Sequence, residues 1–275
     1  MWASSITFEE YPLETMLEIL REIGFTGVEM NKSHLRRCRT ASLREHFVKQ
    51  AGNLGIRMGG LNVVGEPYFQ PFGDEVQLEA TVAGLRQDVD YALSLGVKDV
   101  LIWEGCAPTG TTEEYWMEHL LPRLLDLFRM VLAYAEPKQV RILVEPHPFT
   151  VGMSDRLLTL LYDRLDSACF GITYDFCHYG VGRPTDYVEA VRRLGRRIRH
   201  VHFSDSDRKS SELHFAPGDG ELDTKAVLQA LRDIGYDGNI TLDLYGHPTP
   251  VEAAKRSLSA VRAACEFLGL RDQGP

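Results

Sequence analysis

Two hydrophobic rhythms alternate along the chain. From Pro12 to Ile23 the residues Leu13, Met16, Leu17, Ile19, Leu20 and Ile23 recur at helical spacing, and Gly24 supplies a stop. Gly27–Asn31 (GVEMN) then reads as a short buried strand, and the same exchange repeats to the end of the sequence. Strands are expected at Ser5–Phe8, Gly27–Asn31, Ile56–Val64, Val97–Glu104, Arg141–Pro146, the run entering Asp175, Ile198–Asp205 and Asn239–Gly246. Between them helices are expected at Pro12–Ile23, Leu43–Leu54, Val76–Leu95, from Thr111 or Thr112 to Ala135, Ser154–Leu165, Pro184–Leu194, Thr224–Ile234 and Pro250–Leu268. Ser154 and one of the two threonines are well placed as N-caps, because a hydroxyl there accepts from a free backbone N–H of the first turn.

Eight strands alternating with eight helices demand parallel pairing through helical crossovers. That leaves an open doubly wound sheet or a closed (β/α)8 TIM barrel. No GxGxxG or GxxxxGK[ST] follows any strand, so the phosphate-cradling loops of open nucleotide-binding sheets are missing. Polar groups instead close four successive strands: Glu145, Asp175, His202 and Asp243. Barrel enzymes keep their chemistry at that end of the strands. The expectation is an α/β (β/α)8 TIM barrel forming a single domain over 1–275, with no linker or repeat to divide it.

Composition narrows the partners. A formal net charge of -9 gives no footprint for gripping phosphate backbones, so nucleic acid is not expected. Arg192, Arg193, Arg196 and Arg197 alternate with Val191, Leu194 and Ile198 and read as the solvated side of a helix. Five cysteines without a CxxC pair suggest reduced thiols and a cytoplasmic location; Cys177 reads as a packing residue. No apolar run is long enough to span a bilayer, and MWASSITF has no leader pattern, so neither membrane insertion nor export is expected.

Side chains alternate faces along a strand, so Leu143 and Glu145, His200 and His202, and Thr241 and Asp243 share faces. With that face inward, three carboxylates and an imidazole converge at one barrel mouth. Like charges in a partly desolvated site repel strongly, and a divalent cation resolves the conflict. Three oxygen donors, one nitrogen and no thiolate suit one ion, with Mn²⁺ the first choice and Mg²⁺, Co²⁺ or Zn²⁺ as alternatives. His200 is expected to be a hydrogen-bonded core residue, Glu104 a structural strand end, and His147 either an orienting group for Glu145 or a substrate contact.

The motifs VEPH (144–147), YDFCH (174–178), HVHFSDSDR (200–208) and HFAPGDGELD (214–223) resemble the xylose-isomerase-like barrel superfamily of sugar isomerases, sugar phosphate isomerases and epimerases, ketose 3-epimerases and inosose dehydratases. The last motif resembles the superfamily's PGxGxxD signature. The resemblance implies Glu145, Asp175, His202 and Asp243 as metal ligands, with His178 and Arg208 on substrate oxygens. It also allows a homodimer. Asp243 stands where ketose 3-epimerases carry Glu, and Val151 where they carry a further Glu.

The expected activity is a metal-dependent isomerase or epimerase. An ion on neighbouring hydroxyl and carbonyl oxygens acidifies the adjacent C–H and stabilises an enediolate, while Glu145 and Asp243 serve as acid and base. A small-molecule sugar or cyclitol is the expected substrate. A dehydratase or lyase on a keto-sugar or cyclitol is the first alternative. An endonuclease IV-like abasic-site enzyme, recruiting His34, His147 and His214 as extra ligands, is a second, and a non-catalytic sugar-binding barrel a third.

Overall fold

A strand that is covered on the inside by its barrel and on the outside by helices has no polar face to present, and the chain obeys this. β2 (Gly27–Asn31) and β6 (Phe170–Asp175) are buried at every position. The structure is a computed structural model and describes residues 1–269. Its other strands are β1 (Trp2–Ser4), β3 (Arg57–Asn62), β4 (Asp99–Ile102), β5 (Arg141–Val144), β7 (Ile198–Phe203) and β8 (Ile240–Leu242). All pair in parallel in sequence order, and β8 returns to β1 to close the barrel. The register slips between Val28 and Glu29 on β2, and again between Ile172 and Thr173 on β6.

Helices coat the outside. They are α1 (Leu13–Ile23), α2 (Ala41–Asn53), α3 (Glu75–Ser94), α4 (Glu113–Tyr115), α5 (Leu121–Ala135), α6 (Asp155–Leu165), α7 (Phe176–Gly182), α8 (Tyr187–Leu194), α9 (Thr224–Asp233) and α10 (Pro250–Leu268). A π-helical stretch, Trp116–Leu120, joins α4 to α5. Buried leucines along α5 and the fully buried Met16, Leu17 and Leu20 of α1 pack onto the outward faces of the strands. The start signals hold: Thr112 accepts from Tyr115 N, and Ser154 from Leu157 N. Among the described residues no helix is long and apolar enough to cross a membrane.

Two expectations are corrected. Ser5–Phe8 is a 3-10 turn, and the first strand lies just before it at Trp2–Ser4. The reason is polar: Ser5 Oγ accepts from Asn31 N at 2.7 Å and Thr7 Oγ1 from Leu244 N at 3.0 Å, pinning the turn across β2 and the segment after β8. After Asp175 the chain turns directly into α7, because the Asp175 carboxylate caps it by accepting from His178 N at 2.8 Å. Pro184 does not start a helix; α8 begins at Tyr187. The arginine group does lie on a solvated face, with Arg193 paired to Asp155 and Asp186, and Arg197 to Asp163. The five cysteines are free thiols.

The two ends of the barrel differ. At the floor, the Trp2 indole lies so close to Gly27 and Gly59 that a Cβ on either would sit within 2.4 Å of it. Two side-chain-free positions let one large ring close that end. At the opposite end the long segment after β7 is gathered by one residue. Asp205, fully buried, accepts from the backbone N–H groups of Ser206, Gly218, Gly220 and Leu222 at 2.8–3.0 Å. The APGDGELD stretch is therefore wrapped around a carboxylate supplied by SDSDR. Gly220 is needed there, since a Cβ would reach within 2.4 Å of Asp205 Oδ1.

Candidate metal centre and sugar pocket

The strand ends that the sequence singles out do converge. His202 is fully buried, and its Nδ1 lies 2.5 Å from Glu145 Oε1, 3.6 Å from Asp175 Oδ2 and 3.7 Å from Asp243 Oδ2. One nitrogen thus faces three carboxylates from three other strand ends. Two of their oxygens, Asp175 Oδ2 and Asp243 Oδ1, are buried without a hydrogen-bond partner. Orphaned buried carboxylate oxygens are costly, and they are the kind of donor a divalent cation satisfies. Glu145, Asp175 and His202 can present their donor atoms within 4.8 Å of one another. The residues present therefore fit a hard or borderline divalent ion.

Electrostatics in this cluster follow burial and neighbours. Burial raises the Glu145 carboxyl against the pull of His202, and pushes Asp243 up to about 6 against His214 and His202. Burial also acts on Asp175, but His178, His202 and His214 outweigh it and hold that carboxyl below the usual range. His202 is raised well above its ordinary value because Glu29 and Glu145 overcome the cost of burying its charge.

Glu29 went unnoticed in the sequence. It lies on β2, fully buried, with both carboxylate oxygens 3.0 Å from His202 Nε2 and Oε2 2.6 Å from His200 Nε2. Asn62 Nδ2 donates to it at 3.4 Å. Glu29, His200 and His202 form a second grouping of possible ligands. No polar atom of these three side chains is orphaned, so the geometry is that of a hydrogen-bonded relay. A signal for Glu29 was present: a charged residue between Val28 and Met30 in an otherwise apolar strand must have a partner. His200 is the core residue expected, held by Glu29 and Thr241.

A cavity of about 210 Å³ opens beside the cluster, lined among others by Asn31, Asn62, Trp103, Glu145, His147, His178, Glu212, His214, Asp243 and Tyr245. His178 faces the Pro146 carbonyl through Nδ1 at 3.2 Å, so that nitrogen carries the proton and Nε2 keeps a lone pair. Burial lowers its pKa to about 4, leaving the ring neutral. His147 is 1 % exposed; its Nε2 lies 3.1 Å from Glu212 Oε1, and its Nδ1 has no hydrogen-bond partner. Burial, reinforced by His178, lowers it to about 3.

Of the other residues, His214 borders the centre and can group with Asp175 and His178 as possible ligands, while the rest lie apart. The Arg208 guanidinium donates to the Glu221 carbonyl at 2.9 Å and lies over the Tyr187 ring, and Arg208 does not line the cavity. His34 faces the carbonyls of Ser5 and Tyr11, and His214 those of Asp243 and Ser211, through both ring nitrogens in each case. Glu104 accepts from Gly152 N and does not line the cavity either. Val151 is fully buried core.

The sequence profile of the xylose isomerase-like TIM barrel family matches residues 17–264. The chain belongs to this family. Among relatives of the xylose isomerase-like barrel described here, fructoselysine 3-epimerase of Shigella flexneri is 36% identical, over 86% of each chain. Inosose dehydratase of Geobacillus thermodenitrificans is 24% identical, over 94% of this chain and 90% of its own. An L-ribulose 3-epimerase structure superposes with a TM-score of 0.80 at 17% identity, covering 100% of this chain and 99% of the other, and shows the same fold.

Proposed function

We propose that the protein is a divalent-metal-dependent isomerase or epimerase that moves a proton on the carbon next to a keto-sugar carbonyl. One observation carries the reading: His202 Nδ1 sits among Glu145, Asp175 and Asp243, two of whose oxygens are orphaned, beside a sugar-sized cavity. These four residues would hold the ion. When bound, it draws electron density from the substrate's hydroxyl and carbonyl oxygens and so acidifies the C–H bond beside them.

The chain's own residues do the rest. Glu145 and Asp243 both line the cavity, and one carboxylate takes the proton while the other group returns it. His178 Nε2 accepts a hydrogen bond from a substrate hydroxyl, and His147, whose Nε2 faces Glu212, offers a second imidazole in the lining. Arg208, held away by Glu221 and Tyr187, has no part in this arrangement. The cavity lining contains Glu9, Glu145, Glu212 and Asp243 and no Lys or Arg. An uncharged or amine-bearing keto-sugar therefore suits it, and a phosphorylated one does not.

A dehydratase reading draws on the inosose dehydratase relative and on Asp243, whose carboxyl is pushed up to about 6 and so can give a proton to a departing hydroxyl near neutral pH. An abasic-site nuclease fits less well, because His34 and His214 spend both ring nitrogens on backbone carbonyls and the net charge is -9. Incubation of the Mn²⁺-loaded protein with ketoses, fructosamines and cyclitols in D₂O separates the readings. Deuterium at a carbon-bound position of a recovered sugar supports proton return, and loss of one water supports the dehydratase. Neither change with any of these substrates would overturn both.

A further inference from the structure

A fully buried carboxylate with both oxygens hydrogen-bonded lies beside the cluster just described and touches it through His202. We infer that Glu29 is a positioning residue for the metal centre, holding His202 in the one tautomer and orientation that offers Nδ1 to an ion. The inference rests on the metal-binding reading above.

A carboxylate only accepts, so His202 Nε2, 3.0 Å from both Glu29 oxygens, carries the hydrogen. By the same rule Nδ1, 2.5 Å from Glu145 Oε1, carries a hydrogen when no ion is bound; an ion there would displace that hydrogen and take the Nδ1 lone pair, while the Nε2 hydrogen stays on Glu29. Had Nε2 faced a donor, the lone pair would point into the core. The carboxylate also fixes the ring plane, because two oxygens straddle one N–H and leave it little freedom to rotate.

Glu29 is itself tightly held. His200 Nε2 stands 2.6 Å from its Oε2, and His200 in turn lies 3.2 Å from Thr241 Oγ1. Asn62 donates to its other oxygen. The register slip between Val28 and Glu29 directly precedes it, and irregularities of this kind re-aim side chains. Glu29 thus joins β2 to β7 across the barrel interior. Through this hydrogen bond strand β2 reaches His202.

Two variants separate holding His202 from merely filling the core. Glu29→Gln keeps the volume but removes the charge and makes the hydrogen-bond pattern ambiguous. His200→Gln retains a donor for Glu29 and leaves its contact with His202 intact. Mn²⁺ titration by calorimetry is expected to show ~10–100-fold weaker binding for Glu29→Gln, the usual cost of losing a group that orients a ligand, and a change within about threefold for His200→Gln. The visible absorption of bound Co²⁺, which reads the ligand set, is expected to shift in the first variant only.

Equal Mn²⁺ affinity in wild type and Glu29→Gln would overturn the role, and so would an equal loss in both variants, which would mean a general disturbance of the core. If Glu29→Gln does not fold, Glu29→Asp replaces it. That variant keeps the charge but withdraws it from His202, and the same loss is expected, unchanged affinity again overturning the role. A wild type that takes up no ion is a different result: it removes the metal reading itself.

Discussion

Asp243 and Asp175 end neighbouring approaches to one site yet are biased in opposite directions. Burial pushes Asp243 up to about 6, whereas three histidines hold Asp175 below the ordinary carboxylate range. An ion must therefore displace a proton from Asp243 at acidic pH and none from Asp175. Apparent Mn²⁺ affinity is expected to fall about tenfold per pH unit below 6 through this group and to lose that dependence above it, measured by titration from pH 5 to 8. Glu104 gives a stability prediction of its own. Its carboxyl is raised by burial from 4.5 to about 7, so the folded state holds the proton more tightly than the unfolded chain does. The stability tied to that proton is fully present below pH 4.5 and is lost as pH rises through 7. Glu104→Gln, which still accepts from Gly152 N, is expected to melt above wild type at pH 8 by on the order of 1–3 kcal/mol and to match it near pH 5, as read by thermal unfolding. At this scale the sequence disclosed Glu145, Asp175, His202 and Asp243, because alternation along strands is a local rule. It could not foresee where Arg208 lies, because that side chain is placed by Tyr187 and Glu221, both remote in sequence. It passed over Glu29, whose partners are 171 and 173 residues away in sequence, at His200 and His202.

Elements were read best where their ends are marked by local chemistry. β2 and α10 begin and end where expected, and the caps at Thr112 and Ser154 operate. The misplaced first strand shows the limit: ITF has strand-forming composition, but Ser5 and Thr7 are taken by Asn31 and Leu244, and those pairings override the propensity. The PGDGELD stretch was legible as a family signature and opaque as structure, since the residue it serves, Asp205, lies in another motif. Four backbone N–H groups converge on that carboxylate. Asp205→Ala is expected to leave them without an acceptor, costing roughly 3 kcal/mol or more in denaturant unfolding, and to raise amide hydrogen exchange across 204–223 selectively. Protection unchanged over that segment would show that the stretch is held by other contacts.

For the molecule as a whole, the proposed metal centre would couple ion binding to folding. A centre that gathers residues from β5, β6, β7 and the end of β8 exists only in the folded barrel, so an ion at 100 times its Kd adds about 2.7 kcal/mol to stability. Melting in Mn²⁺ is expected several degrees above melting in chelator, with the difference abolished in Asp175→Asn. The barrel is also a room with a single door. Trp2, laid across Gly27 and Gly59, shuts the floor, and the relay of Glu29, His200 and His202 fills the interior above it. On the proposed function, ion and sugar would come and go through the same mouth, with the sugar between the ion and solvent. Architecture would then order the traffic: a bound sugar would lock the ion in, and a chelator would have to wait for the sugar to leave.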